Sequence, residues 1–303
     1  MSQKRSSALV DLSEAIAAVV SDARAYTVTV YGRKRLAATG ISWTEDLVVT
    51  ANHVVERDDE IEVGTDGETR VAATVAGRDP AGDIAVLRIT GTKLTAAPRT
   101  GEASKAGQFV LGIGRAGGGN PEVSMGIVNT AEAGLRVSRG RIIEPVIQSE
   151  IVMLPGFSGG PLLNPYGDVL GMNSSHLGRG ASLTVTTAAL EPIVDALATH
   201  GRLRMGYIGV GAQAVGISAS QVAEAKLERE VGLVILSIDE TGPAQSAGLL
   251  IGDILVSVNG APVGAVDDLV DQLSGDLIGK SIPITVVRGS QTQDLQITVG
   301  ERG

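Results

Sequence analysis

The sequence predicts a mostly β chain in two parts: an all-β barrel or sandwich of short strands, then a smaller α+β unit. Three observations carry this expectation. Between residues 27 and 190, short runs rich in Val, Ile and Thr recur without intervening helices, which argues against a βαβ layout. Glycine, at 40 of 303 residues, punctuates those runs with turns. Charge is also uneven: residues 207–303 carry 5 basic and 12 acidic side chains, net −7, whereas residues 1–206 carry 20 and 22, net −2.

The elements follow in chain order. Residues 1–26 read as a helical segment, with Leu9, Leu12, Ile16, Val19 and Val20 at helical spacing and Asp11 with Glu14 as a capping box. Thr27–Tyr31 alternates, Leu47–Thr50 is β-branched, and Asp66-Gly67 reads as a hairpin turn between Ile61–Val63 and Arg70–Val75. Ile84–Ile89, Phe109–Ile113, Val146–Gln148 and Val169–Met172 continue the strands, and Ala189–Ala198 is the first convincing interior helix. Residues 201–206 read as a linker. The second unit, 207–303, begins with a short strand at Tyr207–Val210 and a helix-like stretch at Ala219–Glu230. Strands Gly232–Ile238 and Asp253–Val258 follow, then a helix marked by Val266, Leu269, Val270 and Leu273, then strands Ile282–Val287 and Gln293–Val299.

Composition removes whole classes of function. Hydrophobic residues, at 43%, are enough for real cores. One Trp, four Tyr and two Phe leave few platforms for stacking nucleic-acid bases, and a net charge of −9 disfavours a phosphate backbone, so no nucleic-acid partner is expected. Without cysteine there is no disulfide, thiolate metal site or thiol nucleophile, and three histidines are little material for a histidine-rich metal site. No cofactor and no metal are expected. No apolar run approaches the ~20 residues of a membrane span. The acidic residues inside the N-terminal apolar stretch argue against a leader. The location read from the sequence is therefore cytoplasmic, with the cell envelope open should residues precede the first.

The sharpest chemical feature is Gly156-Phe157-Ser158-Gly159-Gly160-Pro161-Leu162. A serine between glycines suits a nucleophile, because the backbone must turn sharply and aim its N–H groups at one point. Such a string is also compatible with a plain turn, and two unrelated hydrolase folds use it. Partner order separates those folds. An α/β-hydrolase needs its acid and histidine after the serine, but only His176 and His200 follow and no strand–helix alternation accompanies them. In the chymotrypsin-like order histidine comes first, then aspartate, then serine. Here His53 directly follows a β-branched strand, Asp83 opens another apolar strand, and Ser158 lies 75 residues further on.

At this point the chain resembles the HtrA/Deg family of trypsin-like serine proteases. TANHVVE, VAGRDPAGDIAVLRI, GQFVLGIG, MGIVNT and PGFSGGPLLNPYGDVLGMN are similar to consecutive blocks of its protease domain. GYIGVG and GPAQSAGLLIGDILVSVNG resemble parts of its PDZ domain. The resemblance implies a chymotrypsin-like double β-barrel over residues 27–200, followed by an α+β PDZ domain. It implies an ATP-independent serine endopeptidase of the quality-control type, acting on unfolded or exposed polypeptide. His53 would be the general base, Asp83 its orienting carboxylate and Ser158 the nucleophile, with the N–H groups of Gly156 and Ser158 forming the oxyanion hole. Val152, six positions before the serine, would lie near the base of the S1 pocket with Met153 beside it, favouring cleavage after small or medium aliphatic residues. Ser174–Thr187 would supply the opposite wall. Tyr207, Ile208, Gly209 and Val210 would cradle a peptide C-terminus, with further binding by β-augmentation. In the helix carrying Val266 and Leu269, most apolar positions should face the core and one or two the peptide. A homotrimer is implied, built on aromatic contacts for which only Tyr26 and Tyr31 are at hand.

The departures concentrate at the serine. Phe157 stands where the family has a polar residue, and Glu150-Ile151-Val152-Met153-Leu154 replaces the family's Asp-Ala-Ala-Ile-Asn. The alternative is therefore a catalytically impaired pseudoprotease that serves as a PDZ peptide-binding scaffold. Other signals are set aside. Gly112-x-Gly114-x-x-Gly117 lacks the following helix that a dinucleotide site needs. His176 and His200 read as surface residues, Asp267, Asp268 and Asp271 as a solvated helix face, and Arg33, Lys34 and Arg35 as a short basic loop.

Overall fold

The computed structural model describes residues 7–65, 69–137, 141–178, 182–225, 229–273 and 275–302. The chain forms two compact units. One comprises Met1–Leu135 with Ile143–Leu203, and the other Arg204–Gly303 with Arg136–Ile142. The expected hairpin turn at Asp66-Gly67 lies outside the described residues.

The first unit opens with helix α1 (Ala8–Ala23). Its N-cap is Ser7, whose hydroxyl accepts from Val10 N, and not the expected Asp11–Glu14 box. Leu12, Ile16 and Val19 line an apolar pocket together with Phe109 and Leu111 of the second barrel and Pro165 of a neighbouring loop. Six strands then close a barrel: β1 (Thr27–Tyr31), β2 (Ala38–Ser42), β3 (Leu47–Ala51), β4 (Ile61–Gly64), β5 (Arg70–Asp79) and β6 (Ile84–Ile89), in the order β1-β2-β3-β6-β5-β4. A second barrel uses β7 (Phe109–Gly114), β8 (Glu122–Arg136), β9 (Ile142–Ser149), β10 (Pro161–Leu163), β11 (Val169–Ser174) and β12 (Ser182–Thr186), in the order β10-β11-β12-β9-β8-β7. The double barrel is the fold that the partner order and the resemblance predict.

Side-chain alternation shows why these strands form. In β1, Val28 and Val30 enter a core with Val48, Val63 and Leu87. Thr27 and Thr29 take the opposite face, where Thr29 Oγ1 donates to the carbonyl of Arg115 at 2.6 Å. The second barrel is filled by Val110, Val128, Ile147, Ile151 and Leu162. Helix α2 (Thr187–His200) ends the unit, capped by the Thr186 hydroxyl and stopped by Gly201 at φ 74°. Its buried face is Ala189, Leu190, Val194 and Leu197. Tyr26, one of the two tyrosines available to the expected trimer, is 5% exposed, and its hydroxyl donates to Gly167 O at 2.7 Å. Burial raises its phenol above the ordinary value.

The second unit begins with β13 (Met205–Tyr207), paired with β20 (Gly300–Arg302), so residues 205 and 206 belong to a strand and not to the expected linker. Its main sheet contains β14 (Val210–Gly216), β15 (Val231–Ile238), β16 (Ile254–Val258), β18 (Ser281–Arg288) and β19 (Gln291–Thr298), with β17 (Ala261–Pro262) paired to β16. Strand β14 is an edge. Helices α3 (Ala219–Ala225), α4 (Pro243–Ser246) and α5 (Val266–Gln272) complete the unit around Leu233, Ile235, Leu255, Ile284, Val286 and Ile297. Asp268 is more than solvated surface: it accepts from Gly264 N and Ala265 N at the start of α5, and these bonds hold its carboxyl below the ordinary value.

Candidate functional site

Strand pairing places His53 and Asp83 together. In the β3–β6 ladder Ala51 lies opposite Ile84, so the residues just past that rung, on either strand, meet at one end of the first barrel. His53 sits on a short 3-10 turn, Asn52–Val54, immediately after β3. Asp83 precedes β6 at φ 54°, a left-handed conformation that turns its carboxylate toward His53. Asp83 Oδ1 accepts from His53 N at 2.9 Å, and Oδ1 and Oδ2 lie 3.0 and 2.8 Å from His53 Nδ1. Both ends of the histidine are thus fixed on one carboxylate.

Asp83 is 1% exposed. Burial pushes its carboxyl up, but hydrogen bonds from the His53 ring, the Ser174 hydroxyl and the His53 N–H outweigh it and hold the group below the ordinary carboxylate range. Ser174 is itself fully buried and lies 2.5 Å from Oδ2. An ionised carboxylate at the back of the imidazole stabilises the tautomer that carries its proton on Nδ1 and leaves Nε2 free as a base.

Ser158 comes from the second barrel, in the loop between β9 and β10, and is 5% exposed. Gly156 stands at φ 91° and Gly159 at φ 86°. A Cβ on Gly159 would lie 2.1 Å from the Thr39 carbonyl oxygen, so only glycine fits there. The loop is stitched to both barrels. Thr39 Oγ1 accepts from Arg115 N and donates to Gly156 O, both at 2.7 Å, while Gly159 N and Asn173 N donate to Asn173 O and Gly160 O. Phe157 is 1% exposed, and its ring lies over Gly114, where an added Cβ would come within 2.2 Å. The ring that replaces a polar family residue is therefore packed inside the barrel, and Thr39 supplies the polar anchor. Among the described residues, neither Gly156 N nor Ser158 N donates to a protein acceptor.

Three consecutive residues at the end of β11 each touch a different one of these groups. Ser174 meets Asp83, and Ser175 meets Ser158, with Oγ···Oγ 2.8 Å and Ser175 N donating to Ser158 Oγ at 3.2 Å. The His176 ring stacks on His53, with centroids 5.4 Å apart and planes inclined by 23°. All three lie in the Ser174–Thr187 segment expected as the opposite wall of the S1 pocket, but none was singled out, and His176 was expected only at the surface. It is exposed, yet its ring lies against that of His53. The available signal was a polar run, Asn173-Ser174-Ser175-His176, closing a strand whose every residue is buried. No hydrogen bond joins Ser158 Oγ to His53 among the described residues.

At the expected S1 position Val152 is 62% exposed, with its N–H donating to Ser124 Oγ at 2.7 Å. Ile151 is the buried neighbour, and Met153 packs half-buried beside the second barrel's core. Val152 and Met153 thus contribute an apolar surface beside the serine loop, with Val152 open to solvent.

In the second unit, Ile208 is 2% exposed and Gly209 lies at φ 80°. The loop is held by Ala244 N donating to Ile208 O, Asp239 N donating to Gly209 O, and Tyr207 OH donating to Asp239 Oδ2 at 2.7 Å. Val210 opens edge strand β14 opposite Ile238. On α5, Leu269 and Leu273 are buried, whereas Val266 is 44% exposed and Val270 half-buried. Two of the four apolar positions therefore face away from the core.

Comparison with known proteins follows the same division. The trypsin-like peptidase domain family matches residues 38–172 and the PDZ domain family residues 206–299. A probable periplasmic serine endoprotease DegP-like from Pseudomonas putida F1 is 32% identical over 269 residues, covering 85% of this chain and 54% of that protein. The protein of the same description from Halomonas elongata is 30% identical over 276 residues, covering 88% and 57%. The chain spans about half the length of these curated relatives. Among solved structures, the serine endoprotease from Yersinia pestis superposes with a TM-score of 0.76 at 26% identity, covering 99% of this chain and 100% of the other. The HtrA-type protease AlgW with decapeptide gives 0.75 at 26%, covering 95% and 98%.

Proposed function

The chain belongs to the HtrA/Deg family of trypsin-like serine proteases with a PDZ domain, and from that premise we propose an ATP-independent serine endopeptidase acting on unfolded or exposed polypeptide. The observation that carries the proposal is the double attachment of His53 to buried Asp83, with Ser158 presented from the other barrel. Ser158 Oγ attacks the scissile carbonyl while its proton passes to His53 Nε2, and Asp83 stabilises the resulting imidazolium. The tetrahedral oxyanion is received by the N–H groups of Gly156 and Ser158, both without a protein acceptor among the described residues. His53 then returns the proton to the leaving amine, the acyl-enzyme forms, and water completes the cycle in reverse. The apolar surface of Val152 and Met153 favours small or medium aliphatic residues before the cleaved bond.

The PDZ unit supplies a second binding mode. A peptide carboxylate sits on the Tyr207–Val210 loop, the peptide extends along edge strand β14, and Val266 and Val270 line the groove's other side. AlgW structures carry a decapeptide and a tripeptide, which supports peptide binding as the role of this unit. The curated relatives are described as periplasmic, and a cell-envelope location fits them better than the cytoplasmic reading. No helix among the described residues is long and apolar enough to cross a membrane. A non-catalytic scaffold is not favoured, because relatives and structural neighbours alike are described as proteases.

Hydrolysis of an unfolded, casein-like substrate tests the proposal. The wild-type chain should release peptides and Ser158→Ala should release none while keeping its melting temperature. Equal activity in the two proteins would remove Ser158 as nucleophile.

A further inference from the structure

We propose that Ser175 is a positioning residue that holds the Ser158 hydroxyl in a resting orientation away from His53. The inference deepens the endopeptidase reading and rests on it. Ser158 Oγ has two neighbours from one residue, Ser175 Oγ at 2.8 Å and Ser175 N at 3.2 Å. A serine hydroxyl has one proton and two lone pairs. Ser175 N takes one lone pair, and of the two directions open to the Oγ–Oγ bond the latch is the one in which Ser158 donates its proton to Ser175. A general base takes a proton from a group within about 2.6–3.2 Å of it or through one water, and no direct Ser158–His53 hydrogen bond is formed among the described residues.

The holding group is well placed to act as a latch. Ser174, the preceding residue, is buried and bonded to Asp83, which fixes the backbone from which Ser175 projects. Ser175 itself is exposed, so its hydroxyl is not needed to fill the core. Attack requires the Ser158 hydroxyl to leave Ser175 and turn to His53, so the reactive fraction is set by competition between two hydrogen bonds. The backbone contact from Ser175 N remains in any variant; only the hydroxyl contact is removable. One intramolecular hydrogen bond shifts such a balance by about 2- to 10-fold.

The test is the second-order rate at which a fluorophosphonate labels the full chain. In that reaction Ser158 Oγ displaces fluoride from phosphorus and its proton passes to His53. Ser158→Ala, Ser175→Ala and Ser175→Thr are compared with wild type, with thermal melts alongside. The expected result is no labelling of Ser158→Ala, labelling of Ser175→Ala faster than wild type by about 2- to 10-fold, and a return toward the wild-type rate in Ser175→Thr, which restores the hydroxyl. An unchanged or slower Ser175→Ala overturns the latch, as does a Thr variant as fast as the Ala variant. Labelling that survives Ser158→Ala overturns the nucleophile assignment itself, a different failure.

Discussion

Asp83 is buried, and burial alone would drive its carboxyl toward the neutral form. Donors from His53 and Ser174 reverse that tendency, so the group is held ionised where an imidazolium will need it. Replacing it with Asn keeps the size but puts an NH2 group where an acceptor belongs, and the His53 tautomer is no longer selected. Asp83→Asn should therefore lower kcat by about 10^4-fold in the proposed reaction, with KM little changed. Steady-state hydrolysis of a chromogenic peptide measures it, and a loss under tenfold would mean that Asp83 does not orient the base. His53, Asp83 and Ser158 were legible because each stands in a local pattern: a histidine after a β-branched strand, an acid before an apolar strand, a serine among glycines. The segment that holds Ser174, Ser175 and His176 was expected beside the serine, but their individual contacts were not legible. Serine is common in turns, and nothing in a polar run says which buried carboxylate or hydroxyl the fold will bring to it. Thr39 escaped for the same reason: its two hydrogen bonds reach residues 76 and 117 positions away.

Among the elements, strands with strong apolar runs were readable even where they hold a glycine, as in Phe109–Ile113 and Val169–Met172, whereas several strands of the first unit were not. Ala38–Ser42 contains Gly40 inside a fully buried strand, where an added Cβ would fall 2.7 Å from Val48 Cγ1, so its glycine marks close packing and not a turn. Pro161–Leu163 is too short to announce itself, and Ser182–Thr186 is largely polar. Long β8 was missed because its apolar residues Val123, Met125 and Ile127 are exposed, so its pattern is not that of a core strand. What joins the two barrels was also invisible. Arg115, just past β7, is 1% exposed; its Nη1 donates to the carbonyls of Arg24, Thr27 and Thr65, and its Nε to that of Gly119. Its own N–H holds Thr39, which holds Gly156. Arg115→Met fills similar volume but leaves the buried Thr27 carbonyl, and the part-buried carbonyls of Arg24, Thr65 and Gly119, without their donor. A loss of about 1–3 kcal/mol in urea unfolding is expected, the cost of the one orphaned buried acceptor, since water can reach the other three. A loss below about 1 kcal/mol would show that water replaces the guanidinium at no penalty.

At the scale of the whole molecule, charge is uneven along the sequence, and the division into two units blunts that contrast. Residues 207–303 carry 12 acidic and 5 basic side chains. The second unit also takes in Arg136–Ile142 and Arg204, so it carries 12 acidic and 9 basic side chains, net −3, and the first unit 22 and 16, net −6. A binding groove on a unit of net charge −3, built from a segment 207–303 of net charge −7, lies in a negative field that reaches about one Debye length, ~10 Å at 0.1 M salt. That field does not choose the terminal residue, which the apolar faces of Val266 and Val270 would select; it acts on what precedes it. Three peptides sharing an aliphatic C-terminus and differing only upstream, in basic, neutral or acidic residues, should therefore bind in that order of affinity. The spread should be widest at low salt and should shrink by several-fold between about 20 and 300 mM, as screening shortens the reach of the field. Fluorescence anisotropy on the full chain with Ser158→Ala, which prevents cleavage during the measurement, reads all three. An acidic peptide that binds as tightly as the basic one at low salt would mean that the groove is shielded from its own unit's charge, leaving side-chain fit as the sole selector.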